Sequence, residues 1–365
     1  MQIKFRPSPA HPEYRNFKKD CDQLRDSMYP GKTYKGNWTL FRKAIIIGAS
    51  WLTLYTVNVF FIIPTPVTVI LLILQGFFTA MIGFNIMHDG GHSSFSKYKW
   101  LNNFMVLTLN FLGGNAALWK IKHNTVHHTA TNIAEHDDDI ELGVLARFNP
   151  AQKWYFFHRL QAVYVPLFLY PLGYLSWIYL LDVKKYFYKK IATHSFAFTP
   201  KEHALFWLSK ILHVCIFVVV PSLSHPFISV LIGYGILVFT TGMCISLIFQ
   251  LAHVVMQTQM IQTKIIGGYE VIENTNKIHQ VLTTANFATN SRFWTWVCGG
   301  LNFQIEHHLF PEVSHVHYRN MQPKVKELFK KYGLTYNENA TFLKAVWSHF
   351  QTLWLYGKKS THLPA

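Results

Sequence analysis

Residues 67–92 read VTVILLILQGFFTAMIGFNIMHDGGH, an apolar run that carries no charge until it reaches two histidines. A helix of about 20 apolar residues is long enough to cross the ~30 Å hydrocarbon core of a bilayer. Residues 44–63 before it are also uncharged, and the intervening Pro64-Thr-Pro66 is typical of a turn. The two runs predict a transmembrane hairpin whose second arm brings His88 and His92 to a membrane face.

The composition of the whole chain also favours a membrane protein. Half of its 365 residues are hydrophobic and only 14% are charged, against about 25% in an average soluble domain. The net charge of +16 fits nucleic acid or anionic lipid. Because the Lys and Arg residues concentrate beside the apolar runs, and no nucleic-acid-binding motif is present, we expect contact with lipid headgroups and no nucleic-acid partner.

A second hairpin is predicted farther along the chain, where two more apolar runs flank Pro221-Ser-Leu-Ser-His-Pro226. The N-terminus lacks an apolar signal core, so we expect the first run to remain as an anchor. The predicted regions are a cytosolic N-terminal segment (1–43), a membrane domain (44–335) and an amphipathic C-terminal tail (336–365). The predicted spans are residues 44–63, 67–87, 204–220 and 227–252.

Residues 160–181 are apolar enough to span, but Pro166, Pro171 and Gly173 interrupt them and both flanks are basic. Basic loops favour the cytoplasmic side, so both flanks are expected on the same face. We therefore predict that this stretch enters and returns, or lies in the interface. By the same parity argument, residues 101–118 are predicted to form an in-plane helix. The expected fold is an all-α integral membrane protein with four spans, in-plane or re-entrant helices and a cytosolic cap.

The histidines fall into three clusters at the ends of apolar stretches. Residues four apart on a helix share one face at about 5–6 Å, whereas adjacent residues point about 100° apart and can serve two metals. Gly90-Gly91, which weakens a helix by about 1 kcal/mol per residue relative to Ala, indicates a close backbone approach. The clusters are His88 and His92; His123, His127 and His128; and Gln304, His307 and His308.

The number and type of these side chains restrict the metal. Imidazole suits Zn, Cu, Fe and Ni. A zinc protease would need His-Glu-x-x-His, but the residue after His88 is Asp89. One tetrahedral zinc also takes only four ligands. The clusters therefore indicate two metals with nitrogen-rich ligand sets, which points toward iron and dioxygen chemistry.

These residues resemble the three histidine boxes of the integral-membrane fatty acid desaturases and related hydroxylases. Gln304-x-x-His307-His308 followed by Leu309-Phe310-Pro311 resembles the third box of the front-end desaturase branch, as does Thr131-Asn132 with Asp137-Asp138-Asp139-Ile140. The resemblance extends from about residue 41 to 332. It implies that the box histidines bind two irons at the cytosolic ends of a four-span bundle. It also implies that the reduced irons activate dioxygen, which removes two hydrogens from adjacent methylenes of an acyl chain.

The resemblance extends to individual residues outside the boxes. His253, at the end of the fourth predicted span, matches an additional iron ligand of the wider family, and Gln304 is a candidate ligand or neighbour of one. Metal-bound imidazoles usually donate their free N–H to a carboxylate or carbonyl. The candidate acceptors are Asp89, Asp137, Asp139 and Glu306, although residues 137–139 could also be a solvated acidic turn. His315 and His317 are expected to be structural or surface groups, and no catalytic side chain is expected beyond the metal ligands.

Many front-end desaturases carry a fused cytochrome-b-type haem domain with a His-Pro-Gly-Gly signature, which residues 1–43 lack. We therefore expect a separate electron donor, either a cytochrome-b-type protein or a ferredoxin with its reductase. The expected substrate is an acyl-CoA or a membrane lipid, with the active site on the cytosolic face of a bacterial inner membrane or the endoplasmic reticulum. The alternatives are a di-iron lipid hydroxylase, a sphingoid-base desaturase, and a membrane metal-binding or transport protein. Transport predicts ionisable groups at mid-span, whereas these histidines lie at span ends.

Overall fold

Two long helical hairpins form the apolar body of the computed structural model, which describes residues 3–359. They correspond to the two predicted hairpins, with helices that extend beyond the predicted spans. Asn37 begins the first hairpin by accepting a hydrogen bond from the Thr39 amide, and Thr199 and Glu202 form a capping box at the start of the second. Such caps pair the free N–H groups at a helix N-terminus.

The structure contains thirteen helices of six or more residues among the residues it describes. In chain order they are α1 (Phe17–Met28), α2 (Trp38–Phe60), α3 (Thr65–Gly91), α4 (Lys99–Phe111), α5 (Ala116–Ala130), α6 (Phe156–Tyr188), α7 (Pro200–Leu223), α8 (Phe227–His253), α9 (Asn276–Leu282), α10 (Arg292–Val297), α11 (Gln304–Leu309), α12 (Tyr318–Lys331) and α13 (Phe342–Gly357).

The strands are short and lie outside the hairpins. The pairs are β1 (Lys4–Phe5) parallel to β5 (Tyr269–Ile272), β5 antiparallel to β4 (Lys264–Ile266), β2 (Lys190–Ile191) antiparallel to β3 (His194–Ser195), and β6 (Asn286–Phe287) parallel to β7 (Glu338–Asn339). The N-terminal segment and the C-terminal region are thereby attached to the segment between α8 and α11. Residues 1–2 of the predicted N-terminal segment and 360–365 of the predicted C-terminal tail lie outside the described residues.

Helix α6 differs from the prediction that its sequence enters the membrane and returns. It is one continuous helix of 33 residues. Pro166 lies within the π-helical turn Val165–Leu169, and Pro171 lies at the start of the α-helical segment that follows. A wider turn can accommodate the hydrogen bonds that proline removes, so these prolines do not reverse the chain.

The contacts of α6 favour the alternative prediction, an orientation along the membrane interface. Its first turn contacts the loop after the second histidine cluster through His158 and the Val144 carbonyl, 2.9 Å apart. Its last turns contact the same loop through the ion pair of Lys185 and Asp138. Among residues 3–359, five helices are long and apolar enough to cross a membrane, namely α2, α3, α6, α7 and α8. A helix that crossed the membrane would place its two ends at opposite faces. Because both ends of α6 contact one loop, we keep the prediction that four helices cross the membrane.

Residues 101–118 were predicted to form a single in-plane helix, and this prediction is wrong. They divide between α4 and α5, whose axes differ by 111°. The bend contains Gly113, which has φ +91°. This backbone conformation is strained for residues with a Cβ, so the glycine allows the sharp turn.

We predict that both flanks of α6 lie on the same side of the membrane. Single cysteines at Lys153 and Lys189 should react with an impermeant thiol reagent from the same side of sealed vesicles. A Cys215→Ser background removes the one exposed cysteine in the described part of the chain. A cysteine at Ile62, which is 96% exposed in the turn of the first hairpin, is the control and should react from the other side. Labelling of positions 153 and 189 from opposite sides would contradict the arrangement.

Candidate metal centre

The first histidine cluster lies at the end of α3, where the helix widens. Residues Gly83–Met87 form a π-helical turn before α-helix resumes at His88. A Cβ on Gly90 would lie 2.7 Å from the Val106 amide, and one on Gly91 would lie 2.1 Å from the Trp119 ring. The predicted close backbone approach is therefore confirmed, and it brings the end of α3 against α4 and α5.

The other two clusters also lie on helices that meet this point. Residues Lys120–His127 of α5 are π-helical and carry part of the second cluster. The third cluster occupies the short helix α11. The Asn286 side chain accepts a hydrogen bond of 2.9 Å from the Ile305 amide, which holds the first turn of α11 in place.

The structure brings together all eight histidines that the sequence predicted as ligands. The first group contains two rings from the end of α3, one from α5 and one from α11. Its members are His88, His92, His123 and His307, whose candidate ligand atoms lie within 4.8 Å of one another. The second group is His127, His253 and His308, and His128 lies beside it within the same distance of His307 and His308.

Several histidine rings are held in orientation by the hydrogen bond that their Nδ1–H group donates. Carboxylates and carbonyl oxygens only accept hydrogen bonds, so the histidine Nδ1 atoms that contact them carry the proton. The Nδ1–acceptor pairs are His123 with Asp139 (3.2 Å), His127 with Asp137 (3.0 Å), His253 with the Thr283 carbonyl (3.3 Å) and His308 with Gln280 Oε1 (2.5 Å). Each Nε2 atom then carries a lone pair, and that of His123 lies 3.2 Å from His88 Nε2.

These lone pairs make the site fit a bound metal. The Nε2 atoms of His92, His127, His253 and His308 are buried and have no hydrogen-bond partner within residues 3–359. A buried polar atom without a partner costs about 1–3 kcal/mol, so four of them in one small space would be strongly unfavourable. A cation that accepts their lone pairs removes this cost, and neutral imidazole is the form that binds metals.

Asp137 and Asp139 contact the rings as predicted, and the alternative of a solvated acidic turn is wrong. Asp137 is 1% exposed, and its carboxylate also accepts a hydrogen bond from the Asn132 amide. Burial acts to raise the pKa of Asp139, but the adjacent Lys122 ammonium and the His123 ring hold that pKa well below its usual range. Both carboxylates are therefore acceptors for the ring N–H groups.

Asp89 and Glu306 do not contact a predicted ligand ring, in contrast to the expectation. Asp89 accepts hydrogen bonds from the Ser314 hydroxyl (2.7 Å) and the His315 backbone amide (3.4 Å), and its carboxylate lies 3.0 Å from His315 Nδ1. Glu306 contacts Asn286 and Tyr336 instead. Adjacent positions on a helix face about 100° apart, so a neighbour of a ligand cannot easily reach the same ring.

Four of the residues singled out in the sequence, Glu306, Gln304, His315 and His317, are buried in or near the site. Burial raises the pKa of Glu306 to about 7, while the hydrogen bonds from Tyr336 and Asn286 act in the opposite direction. Gln304 is 3% exposed, and its Oε1 has no hydrogen-bond partner in the described chain. His315 and His317 are 3% and 9% exposed. Of the two expectations for them, a structural role therefore fits and a surface position does not.

Sequence reasoning missed the neutral residues that position the ligands. Gln280 accepts from His308 and also from the Thr131 hydroxyl (3.1 Å). Asn132 donates to the carbonyls of His253 (2.8 Å) and Thr283 (3.3 Å). Asn132 stands in the quoted stretch that resembles the family, but no spacing or charge pattern marks Gln280 or Thr283.

A cavity of about 200 Å³, here called the site cavity, adjoins the first histidine group and extends between α3, α6 and α8. Its polar end includes Lys122 and the acidic residues Asp138, Asp139 and Glu141. The remainder is mainly apolar and aromatic, and it reaches Thr79, Leu112 and Tyr174. The shape and lining suit an alkyl chain with a polar group at one end.

Comparison with known proteins identifies the family. A sequence model of the fatty acid desaturase family matches residues 63–340. The chain is 32% identical to an sn-1 linoleoyl-lipid 6-desaturase of Synechocystis sp. over 358 residues, which is 95% of this chain and 97% of the relative. It is 33% identical to the protein of the same name from Arthrospira platensis, over 77% of this chain and 76% of the relative. It is also 33% identical to an acyl-lipid (8-3)-desaturase of Physcomitrium patens, over 85% of this chain and 65% of the relative.

The match to the family model extends over all three histidine clusters and the apolar helices between them. The apolar helices together with the matches identify a multi-pass membrane oxidoreductase. The desaturase names of the relatives exclude the transport alternative and favour desaturation over hydroxylation. The chain belongs to the fatty acid desaturase family.

Proposed function

We propose that this desaturase introduces a double bond near the carboxyl end of an acyl chain in a membrane glycerolipid, with two irons and dioxygen. The observation that carries the proposal is the pair of histidine groups beside a largely apolar cavity. Dioxygen would receive two hydrogens from the chain and two electrons and two protons from a donor, giving two molecules of water. The donor is a separate protein in this proposal, either a cytochrome-b-type protein or a ferredoxin with its reductase, and the site faces the cytosol.

The two groups would hold the two irons separately. One iron would be bound by His88, His92, His123 and His307, and the other by His127, His128, His253 and His308. Bound iron would supply the dioxygen activation that side chains cannot, because acid–base groups do not break an unactivated C–H bond. The protein's own residues orient the rings and exclude water from the apolar part of the cavity.

Two observations support a glycerolipid rather than an acyl-CoA as the substrate. The relatives reported above are named for lipid-linked acyl chains. The polar end of the site cavity also presents three carboxylates, from Asp138, Asp139 and Glu141, against two ammonium groups, because Lys185 pairs with Asp138 and Lys122 with Asp139. Like charges repel across an interface, so this end is unfavourable for the phosphates of coenzyme A.

The position of the new double bond is proposed from the relatives that match over most of both chains. Two of them are named 6-desaturases, and the first spans nearly the full length of both proteins. We therefore propose the 6 position of an 18-carbon chain that already carries double bonds.

The proposal is tested by expression in a host without polyunsaturated lipids, supplied with isotope-labelled linoleate. We expect a new double bond at position 6 that is detected first in glycerolipids and only later in the acyl-CoA pool. Mass spectrometry of derivatised acyl chains locates the bond, and a short time course of the separated lipid classes identifies the carrier. Hydroxylated products, or first appearance of the product in acyl-CoA, would contradict the respective part of the proposal.

We predict that Asp137→Asn lowers iron binding and turnover by ~10–100-fold, the range typical for loss of a hydrogen-bond partner of a metal ligand. The amide side chain can present an N–H to His127 Nδ1 and favour the wrong tautomer. Iron per chain and turnover are measured on the purified proteins. The control is Glu327→Gln, which alters an exposed ion pair on α12 and should match the wild type. Full iron content and full turnover in Asp137→Asn would show that this carboxylate does not support the ligand.

A further inference from the structure

A second cavity, of about 350 Å³, lies at the opposite ends of the two hairpins. It is here called the far cavity. It is lined by residues of the two hairpin turns and by Tyr55, Asn58, Gln75, Phe217 and Tyr234. None of these residues lines the site cavity. The far cavity is therefore separate from the histidine groups.

A thin layer of side chains divides the two cavities. The cavities approach each other along α3, where Thr79 lines the site cavity and Gln75, one turn earlier, lines the far cavity. Trp51 of α2 packs beside this turn, with its ring 6.0 Å from the ring of Phe217, which lines the far cavity. Trp51 lines neither cavity itself, but it contacts a residue that lines each of them, Thr79 of the site cavity and Phe217 of the far cavity.

The layer is polar, although it lies within the apolar helices. Trp51 Nε1 donates to Thr79 Oγ1 (2.9 Å), and Asn58 Nδ2 donates to Gln75 Oε1 (2.9 Å). Elsewhere in the lining of the site cavity, the Tyr174 hydroxyl donates to the Leu112 carbonyl. We name the side chains of Trp51, Asn58, Gln75, Thr79 and Tyr174 the polar partition.

Polar groups within membrane spans are unfavourable unless they have a purpose and partners. Apolar side chains would join these helices equally well, because dispersion contacts pack helices in lipid. A methyl group that entered the partition would have to separate hydrogen-bonded partners and leave them unpaired in an apolar environment, which costs free energy. The partition therefore resists the end of an alkyl chain more strongly than an apolar wall of the same thickness.

The position of the partition also fits a limit on chain length. The stretch from Thr79 to His88 rises ~13 Å at about 1.5 Å per residue. An extended chain advances about 1.2 Å per bond, because three backbone bonds span at most ~3.6 Å. Roughly ten bonds thus fit between the first histidine group and the partition, which is close to the length of an 18-carbon chain beyond position 6.

We infer that the polar partition stops the methyl end of the acyl substrate and sets the longest chain that the enzyme accepts. This inference rests on the proposed desaturase function. It assigns to Trp51 a role in chain-length selection, through the space that its ring closes and the hydrogen bond that it gives to Thr79.

The test compares acyl chains of 18, 20 and 22 carbons that carry identical double bonds counted from the carboxyl end. Trp51→Ala should raise turnover of the 22-carbon chain relative to the 18-carbon chain by at least about ten-fold, since single methylenes in a pocket change selectivity by 10–200-fold. The position of the new double bond, counted from the carboxyl end, should not change. Trp51→Phe, which keeps a ring in place, should remain close to the wild-type profile.

Leu52→Ala is the matched control, because Leu52 is the next residue on α2 and is 58% exposed toward lipid. Its chain-length profile should equal that of the wild type. If the Trp51→Ala protein does not accumulate in the host, the same chain-length comparison is made with the milder variant Trp51→Leu. An unchanged length profile in an active Trp51 variant would overturn the inference. Absence of any desaturation by the wild type would instead contradict the proposed function.

Discussion

The rest of the site depends on the hydrogen bonds that histidine Nδ1–H groups donate to oxygen acceptors. Neutral imidazole has one protonated nitrogen and one lone pair, and the partner of the first determines the direction of the second. Asp137, Asp139, Gln280 and the Thr283 carbonyl hold four rings with Nδ1 protonated. The Nε2 lone pairs then converge in a space where metal ions can compensate their burial. Without these acceptors, the rings could take the other tautomer and turn their lone pairs away from this space.

The fold brings these acceptors and ligands together from distant parts of the chain. His88 lies near the end of α3 and His253 is the last residue of α8, while α5 and α11 carry the other two clusters. Gly90 and Gly91 allow α3 to approach α4 and α5 more closely than residues with a Cβ would. The hairpins therefore do more than anchor the chain, because their ends set the distances between the two histidine groups.

The four hairpin helices and the seven clustered histidines were predictable because their signals are local, whereas His253 was predicted only from the family resemblance. An uncharged apolar run indicates a possible span by itself, and His123 and His127 share a helix face through their spacing. The π-helical turn there changes details of that geometry without separating the rings. The continuity of α6 was not predictable, since its prolines and π-helical turn compensate each other only within the folded helix.

The roles of the neighbouring polar residues depended on tertiary contacts. Asp89 and Glu306 stand beside ligands in sequence but bond to Ser314, His315, Asn286 and Tyr336. Gln280 stands far from the boxes and yet accepts the His308 proton. Sequence proximity identifies the ligands of such a site more readily than the groups that orient them, because those groups need only reach one ring nitrogen from any element.

The central claim is that the two histidine groups hold two irons in one chain. The most direct measurement is the metal content of the purified, detergent-solubilised protein, determined by elemental analysis against a protein concentration from amino-acid analysis. We predict two irons per chain, one for each group. A single metal per chain at saturation, or zinc in place of iron in active protein, would contradict this account.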